Sequence, residues 1–395
     1  MKGCHVLLVM YPAQGQINPC LQFAKRLAKL GVKITFMTSI SAINRMQESV
    51  EGVDFASFSD GYDAGFKGSM EAEYPEFYAS LKARGSKAVA DLIAAKREKG
   101  APFSRVIYTT VMPWVGLVAG ILQVPSTLLW VQAATIFDIF YYYFTGDEGR
   151  FRSCAGDNDG VVELAGLMAL SAREFPSYLL AEASNATDFM IAQLMKDHVE
   201  LIKKEESPKV LVNTFDALEF EALRVIGKVG LVGIGPLAPP AYLDGVDPYC
   251  DKREKGNDYV EWLDSQAKGS VIYVAFGSYS DVPDQMMEEI AQGLVQTRRP
   301  FLWVMREGGN GENPEEKLSC KEDTGVRVNV NVKGIVEPNE LKRCIECIMG
   351  EGKTAQGLRN NATKFKALAK EAMREDGSSN VNLKAYVEEV FLGLV

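Results

Sequence analysis

The sequence predicts an α/β fold with two domains, each built around a parallel sheet. The first observation is the length of 395 residues, because domains of roughly 100–200 residues are typical and this chain is long enough for two. The second is an alternation of short apolar runs with helical periods, which is the pattern of βαβ units. The third is a polar stretch near the middle of the chain, typical of a linker. We assign residues 1–240 to the first domain, 241–257 to the linker and 258–395 to the second domain.

The first domain alternates strands and helices along its whole length. Residues 5–11 form a nearly continuous apolar run, and the following Asn18-Pro19 predicts a helix start, because Asn caps helices and proline fits their first turn. An apolar stripe at helical spacing then continues to Gly31, which is typical of a helix end. The remaining strands are predicted at 32–38, 53–58, 106–109, 126–131, 210–215 and 231–234. Apolar strands connected by helices predict one parallel sheet, buried on both faces.

The second domain contains fewer strands than the first. Strands are predicted at 271–276, 301–305 and 326–330, and helices at 286–294, 338–349, 355–375 and 380–391. Sheets usually have about 4–6 strands. We therefore expect a second domain truncated to about three strands.

The net charge of the chain disfavours nucleic acids and anionic membranes as binding partners. A net charge of −9 without a block of Lys and Arg would repel phosphate backbones and anionic lipids. The most apolar region, 111–144, is interrupted by polar residues and prolines, so no membrane span is expected. We expect a small-molecule partner and no nucleic acid.

The cysteines and the N-terminus predict a cytoplasmic protein. Seven cysteines at irregular spacing do not form a disulfide pattern, which favours a reducing compartment. The N-terminal residues lead directly into an apolar strand and show no export signal.

Several motifs in one consistent order resemble the plant family-1 UDP-glycosyltransferases. These motifs are Pro12-Ala-Gln-Gly-Gln-Ile-Asn-Pro19, Val124-Pro-Ser-Thr-Leu-Leu-Trp130, Val212-Asn-Thr-Phe-Asp-Ala-Leu-Glu219, Trp262-Leu-Asp-Ser-Gln266 and Val274-Ala-Phe-Gly-Ser278. The resemblance implies the GT-B fold, in which two Rossmann-like domains hold the acceptor and the UDP-sugar respectively. It implies acceptor contacts at Gln14, Trp130 and Gln132. It also implies no resident cofactor and no metal, with a UDP-sugar as co-substrate.

Two positions depart from the catalytic pattern of that family. Where the family has a histidine that acts as general base, this chain has Gln16, and where many members have an aspartate that orients the histidine, it has Thr109. An amide does not take up a proton at neutral pH, and loss of a positioned base lowers the rate by about 10²–10⁴-fold. Gln16 is then either a loop residue or a hydrogen-bonding contact to a ligand. We interpret the remaining candidate, His198, as a residue of a surface helix.

The largest departure concerns the donor site. The family's tryptophan and histidine-containing box, which binds the uracil and the diphosphate, has no match in this chain, and a block is expected to be deleted near Asp323-Thr324. Of the donor site, the resemblance leaves Gly277 and Ser278, and weak UDP-sugar binding at most. The expected function is sugar transfer to a small phenolic or other plant metabolite, impaired or lost in this chain. A non-catalytic metabolite-binding protein is the alternative, and a splice form or gene-model error also stays open.

Overall fold

The computed structural model describes most of the chain as two units. The residues described are 4–46, 50–68, 72–155, 160–164, 166–180, 186–239, 258–276, 282–304, 326, 328–331 and 334–392. The first unit comprises Met1–Pro239 together with Leu368–Val395, and the second comprises Pro240–Ala367. Within the described residues, no helix has the length and apolar character required to cross a bilayer.

A parallel sheet of seven strands forms the centre of the first unit. The strands are β1 (His5–Val9), β2 (Lys33–Ser39), β3 (Val53–Phe58), β4 (Arg105–Thr109), β5 (Ser126–Trp130), β8 (Lys209–Val212) and β9 (Gly230–Gly233), and β6 (Val161–Val162) and β7 (Leu170–Ser171) form a small separate hairpin. The sheet order is β3-β2-β1-β4-β5-β8-β9. All predicted strands of this domain are confirmed, because each apolar run is long enough to cross a buried sheet.

Helices cover this sheet and complete its core. They are α1 (Gln14–Lys29), α2 (Ile40–Arg45), α3 (Tyr74–Glu98), α4 (Pro113–Ile121), α5 (Ala134–Tyr142), α6 (Glu148–Ala155), α7 (Ala186–Ile202), α8 (Asp216–Glu219) and α9 (Ala222–Val225). The predicted start of the first helix at Asn18 is wrong, because α1 begins at Gln14 and contains Pro19 within it. The extra turn places Ile17 in the core beside Cys20 and Leu21.

The C-terminal helix belongs to the first unit, which corrects the predicted second domain of 258–395. The helices towards the C-terminus are α10 (Asp258–Asp264), α11 (Asp284–Thr297), α12 (Pro338–Met349), α13 (Lys353–Ala372) and α14 (Ser378–Val387). Leu383, Tyr386 and Val387 of α14 join the core around β1 and α1. Arg26 of α1 donates to the carbonyl of Ser379 at 3.0 Å. Apolar burial and these hydrogen bonds attach the end of the chain to the first domain.

The described part of the second unit contains two paired strands instead of the three predicted. β10 (Ile272–Ala275) and β11 (Phe301–Val304) pair in parallel. The strand predicted at 326–330 is wrong for its described residues, which form no strand. The backbone N–H of Asn329 donates to Glu340 Oε1 at 3.0 Å, and its side-chain amide donates to the same oxygen at 2.8 Å. This backbone group therefore bonds to a side chain of α12 and not to a neighbouring strand.

Candidate functional site

The sheet order creates a crevice in the first unit. β1 and β4 are neighbours, but the chain leaves β1 towards β2 on one side and leaves β4 towards β5 on the other. At such a switch point the loops diverge at the carboxyl ends of the two strands, and ligands of open α/β sheets bind there. The loop after β1 leads into α1 and Gln16, and Thr109 is the last residue of β4. The two positions of the predicted catalytic pair thus belong to this switch-point crevice.

Thr109 fastens the β1 loop to the end of β4. Its side chain is fully buried, and its hydroxyl oxygen accepts a hydrogen bond from the backbone N–H of Tyr11 at 3.3 Å. A threonine hydroxyl carries no charge at neutral pH, so it cannot stabilise a protonated base as a carboxylate does. The hydrogen bond therefore gives Thr109 a structural role, because it attaches the loop after β1 to the end of β4.

Gln16 presents a hydrogen-bond acceptor at the start of α1. Its backbone N–H donates to the carbonyl of Ala13 at 2.9 Å, which fixes the first helical turn. Its side-chain oxygen Oε1 is buried and has no hydrogen-bond partner among the described residues. An amide oxygen accepts a hydrogen bond from a hydroxyl group but does not take up its proton. A glutamine side chain at this position can therefore accept a hydrogen bond but cannot act as a general base.

The three predicted acceptor contacts differ in exposure. Gln14, the first residue of α1, and Gln132, in the loop after β5, are both exposed. Trp130 is only 1% exposed, and its indole N–H donates to the carbonyl of Ala133 at 2.9 Å. Phe137 packs edge-on against the same ring. The buried indole therefore packs beneath the β5 loop and stabilises it. Of the three predicted contacts, only Gln14 and Gln132 have side chains that are accessible to a ligand.

Thr110 and Asn213 connect the loops, and the sequence reasoning missed both. The backbone N–H of Val131 donates to the Thr110 hydroxyl at 3.4 Å, and the amide of Asn213 donates to the carbonyl of Val131 at 3.3 Å. Asn213 also accepts from the backbone N–H of Leu237 at 2.7 Å. A polar residue directly after each apolar strand was the available signal, because parallel strands end at a common edge. The β5 loop is held from both neighbouring strands.

Two buried carboxyl groups lie at the beginning of α5, and neither was recognised from the sequence. Glu219 accepts hydrogen bonds from the backbone N–H of Ala134 at 2.9 Å and of Thr135 at 3.1 Å, and from the Thr135 hydroxyl at 2.7 Å. Burial pushes its pKa up, but these bonds lower the pKa overall. A carboxylate that satisfies the free N–H groups of a helix start stabilises the helix.

Asp138 lies one turn further along α5 and is in the opposite state. It is fully buried, and neither carboxyl oxygen has a hydrogen-bond partner among the described residues. Burial, followed by the neighbouring charge of Glu219, raises its pKa to about 8. Asp138 is therefore protonated at neutral pH, next to an ionised Glu219.

Neither histidine of the chain replaces the missing base. His198 is 1% exposed, so the predicted surface position is wrong, because α7 directs this residue against the ring of Tyr108 at a centroid distance of 5.8 Å. Burial lowers its pKa to about 3. His5 begins β1, at the opposite end of that strand from the crevice, and burial, followed by Lys33, lowers its pKa to about 4. Both imidazole rings are neutral at pH 7. His5 lies too far from the crevice, at the other end of β1, to act as a general base there.

The predicted donor residues Gly277 and Ser278 lie outside the described residues. The second unit contributes a small core around Met286, Ile290 and Leu294, against which one face of the β10–β11 sheet packs.

Comparisons with known proteins give consistent relatives over the full length. The chain is 39% identical to the chloroplastic crocetin glucosyltransferase of Gardenia jasminoides, over 98% of this chain and 98% of that protein. It is 38% identical to the phloretin 4'-O-glucosyltransferase of Malus domestica, over 97% of both chains. A crystal structure of Os79 from O. sativa in complex with UDP matches with a TM-score of 0.77 at 25% identity, over 98% of this chain and 100% of that chain. No protein-family model matches the chain.

The alignment with the Gardenia protein is longer than this chain. It runs over 465 positions, 70 more than the 395 residues present here. At least that many positions must therefore hold a residue of the relative opposite a gap in this chain.

Proposed function

Because the chain belongs to the plant family-1 UDP-glycosyltransferases, we propose that it binds a small plant metabolite in the switch-point crevice and transfers sugar to it poorly or not at all. Its fold is of the GT-B type found in that family. The relatives are named for crocetin and phloretin. By analogy, the acceptor of this chain is a phenolic or carboxyl-bearing metabolite.

The buried, unbonded Oε1 of Gln16 is the observation that carries the proposal. A buried acceptor without a partner costs roughly 1–3 kcal/mol. A metabolite hydroxyl that reached Oε1 and donated to it would remove this penalty, which is why we propose a hydroxyl-bearing ligand. The amide of Gln16 does not remove the proton of a bound hydroxyl group. Gln16 can therefore contribute to binding of the metabolite but not to activation of its hydroxyl for sugar transfer.

The impaired activity that we propose rests on the expected loss of the donor box and on the residues of the crevice. The crevice has no acid–base pair, since Gln16 and Thr109 occupy both positions. The 70 or more unmatched alignment positions agree with a deleted block. In the part of the second unit that the structure describes, two strands pair in parallel. A glycosyltransferase must hold the sugar donor and the acceptor in line with each other. Loss of the general base or of the donor site alone is therefore sufficient to suppress the rate of sugar transfer.

The non-catalytic binding protein is the second candidate, and the completeness of the first unit favours it. Its seven-stranded sheet is continuous, and the loops of the crevice are fastened by Thr109, Thr110 and Asn213. An intact acceptor site without a base or a donor site binds and releases a metabolite unchanged.

Binding and transfer are tested separately with phloretin as the probe. Quenching of intrinsic tryptophan fluorescence measures phloretin affinity for the full chain, for Gln16→Ala and for Gln193→Ala, a control on the exposed face of α7. We expect Gln16→Ala to weaken binding by roughly two- to tenfold and Gln193→Ala to leave it unchanged. Mass spectrometry after incubation with UDP-glucose measures transfer, and we expect no glucoside. Equal affinities of all three proteins would refute the role of Gln16, and rapid glucoside formation would refute the impaired activity.

A further inference from the structure

The residue after the two crevice threonines has a strained backbone. Val111 has a φ of +65°, in the left-handed region that β-branched residues rarely adopt. A conformation of this kind persists only where surrounding contacts enforce it, and such residues cluster at functional sites. Val111 lies between the end of β4 and the start of α4. The strain is therefore located at the switch point.

One side chain holds the carbonyl of this strained residue. The hydroxyl of Tyr78 on α3 donates to the carbonyl oxygen of Val111 at 2.6 Å. Tyr78 is 3% exposed, and burial raises the pKa of its hydroxyl well above the usual value. The hydroxyl remains protonated and available as a donor across the physiological pH range.

The strained residue ends a short segment that fixes both neighbouring loops. Thr109 accepts from the backbone N–H of Tyr11 in the β1 loop, and Thr110 accepts from the backbone N–H of Val131 in the β5 loop. These loops lead to Gln16 on one side and to Gln132 on the other. If residue 111 relaxes to a negative φ, the path of the preceding threonines changes with it. Both loops then lose their common attachment.

We infer that Tyr78 is a positioning residue, which holds Val111 in its strained conformation and thereby sets the spacing of the two loops of the acceptor crevice. It acts through the backbone of residues 109–111. The inference about loop geometry is independent of the ligand, whereas its effect on acceptor affinity rests on the proposed function.

Hydrogen exchange tests the geometry without any ligand. Tyr78→Phe removes only the hydroxyl, and we expect the amides of Tyr11 and Val131 to exchange roughly two- to tenfold faster, by loss of one hydrogen bond. Val111→Gly adopts a positive φ without strain, so adding it to Tyr78→Phe should restore the slow exchange. Gln123→Gly is the matched control, because Gln123 also has a positive φ, of +55°, but lies after the far end of α4. It should leave the two amides unchanged.

The outcomes separate this inference from the proposed function. Unchanged exchange in Tyr78→Phe, or failure of Val111→Gly to restore the slow exchange, overturns the inference. Phloretin affinity should fall roughly two- to tenfold in Tyr78→Phe, recover in the double variant and remain unchanged in Gln123→Gly. If the exchange results hold but the natural sequence does not bind phloretin, the positioning role stands and the proposed acceptor binding fails.

Discussion

The protonated state of Asp138 makes the stability of the first unit depend on pH. Asp138 is fully buried in α5 without a hydrogen-bond partner among the described residues, and burial and Glu219 raise its pKa to about 8 from the usual 3.8. The charge of Asp138 in turn contributes to the raised pKa of Tyr142, one turn further along the helix, where burial is the larger cause. The substitution Asp138→Asn keeps the shape of the side chain and removes its titration.

The sign of the effect follows from the direction of the pKa shift. The folded state binds the proton more tightly than the unfolded chain, so its contribution is fully present below pH 4 and is lost as the pH rises through about 8. Each pH unit in this window lowers the free energy of unfolding by about 1.4 kcal/mol. Between pH 5 and pH 8 the loss is on the order of 4 kcal/mol, a large part of the 5–15 kcal/mol of a typical domain.

Urea unfolding at pH 5, 6.5 and 8 measures this dependence. We expect the difference in unfolding free energy between Asp138→Asn and the natural sequence to shift by about 4 kcal/mol in favour of the variant across that range. Asp91→Asn is the control, because Asp91 is exposed and paired with Lys87 on the surface of α3; its difference should remain constant and small. If the difference for Asp138→Asn is also constant, the carboxyl group is ionised or hydrogen-bonded in the native state, and the reasoning is refuted.

Four further predictions concern the donor site, the missing base, the helix cap and the second unit. Calorimetric titration should show no micromolar binding of UDP, and such binding would contradict the proposed loss of the donor box. Gln16→His alone should not restore glucosylation of phloretin, because a base recovers nothing without a positioned donor; a clear glucoside peak would contradict this. Glu219→Ala should destabilise the chain by about 2–4 kcal/mol in urea, since it leaves three donors at the start of α5 without their acceptor. Limited proteolysis should degrade the second unit before the first. Tyr273 and Val304, on one face of its parallel sheet, are 66% and 49% exposed, and a parallel sheet is normally buried on both faces. A second unit that resists proteolysis longer than the first would contradict this prediction.

The strand pattern of the first unit could be predicted from the sequence, because a parallel sheet covered on both faces requires continuous apolar runs. β1, β4 and β5 are such runs, and each ends at a polar residue or loop that belongs to the crevice. The predicted replacement of the family's histidine by Gln16 likewise depends on one position in a sequence motif. Patterns of this kind depend only on residues that are close together in the chain. They can therefore be recognised before the fold is known.

The state of individual polar side chains was decided by packing between distant segments. His198 belongs to a charged stretch of sequence, yet α7 turns it against Tyr108 and burial keeps it neutral. The C-terminal helix was assigned to the second domain by its position in the chain, but Tyr386 donates to the Thr127 hydroxyl at 2.8 Å within the first unit. Asp138 and Glu219 are separated by 81 residues and meet only because α5 and α8 follow strands of the same sheet edge. Charge, protonation and strain depend on desolvation and on which segments meet, and those are set by tertiary contacts that no local pattern contains.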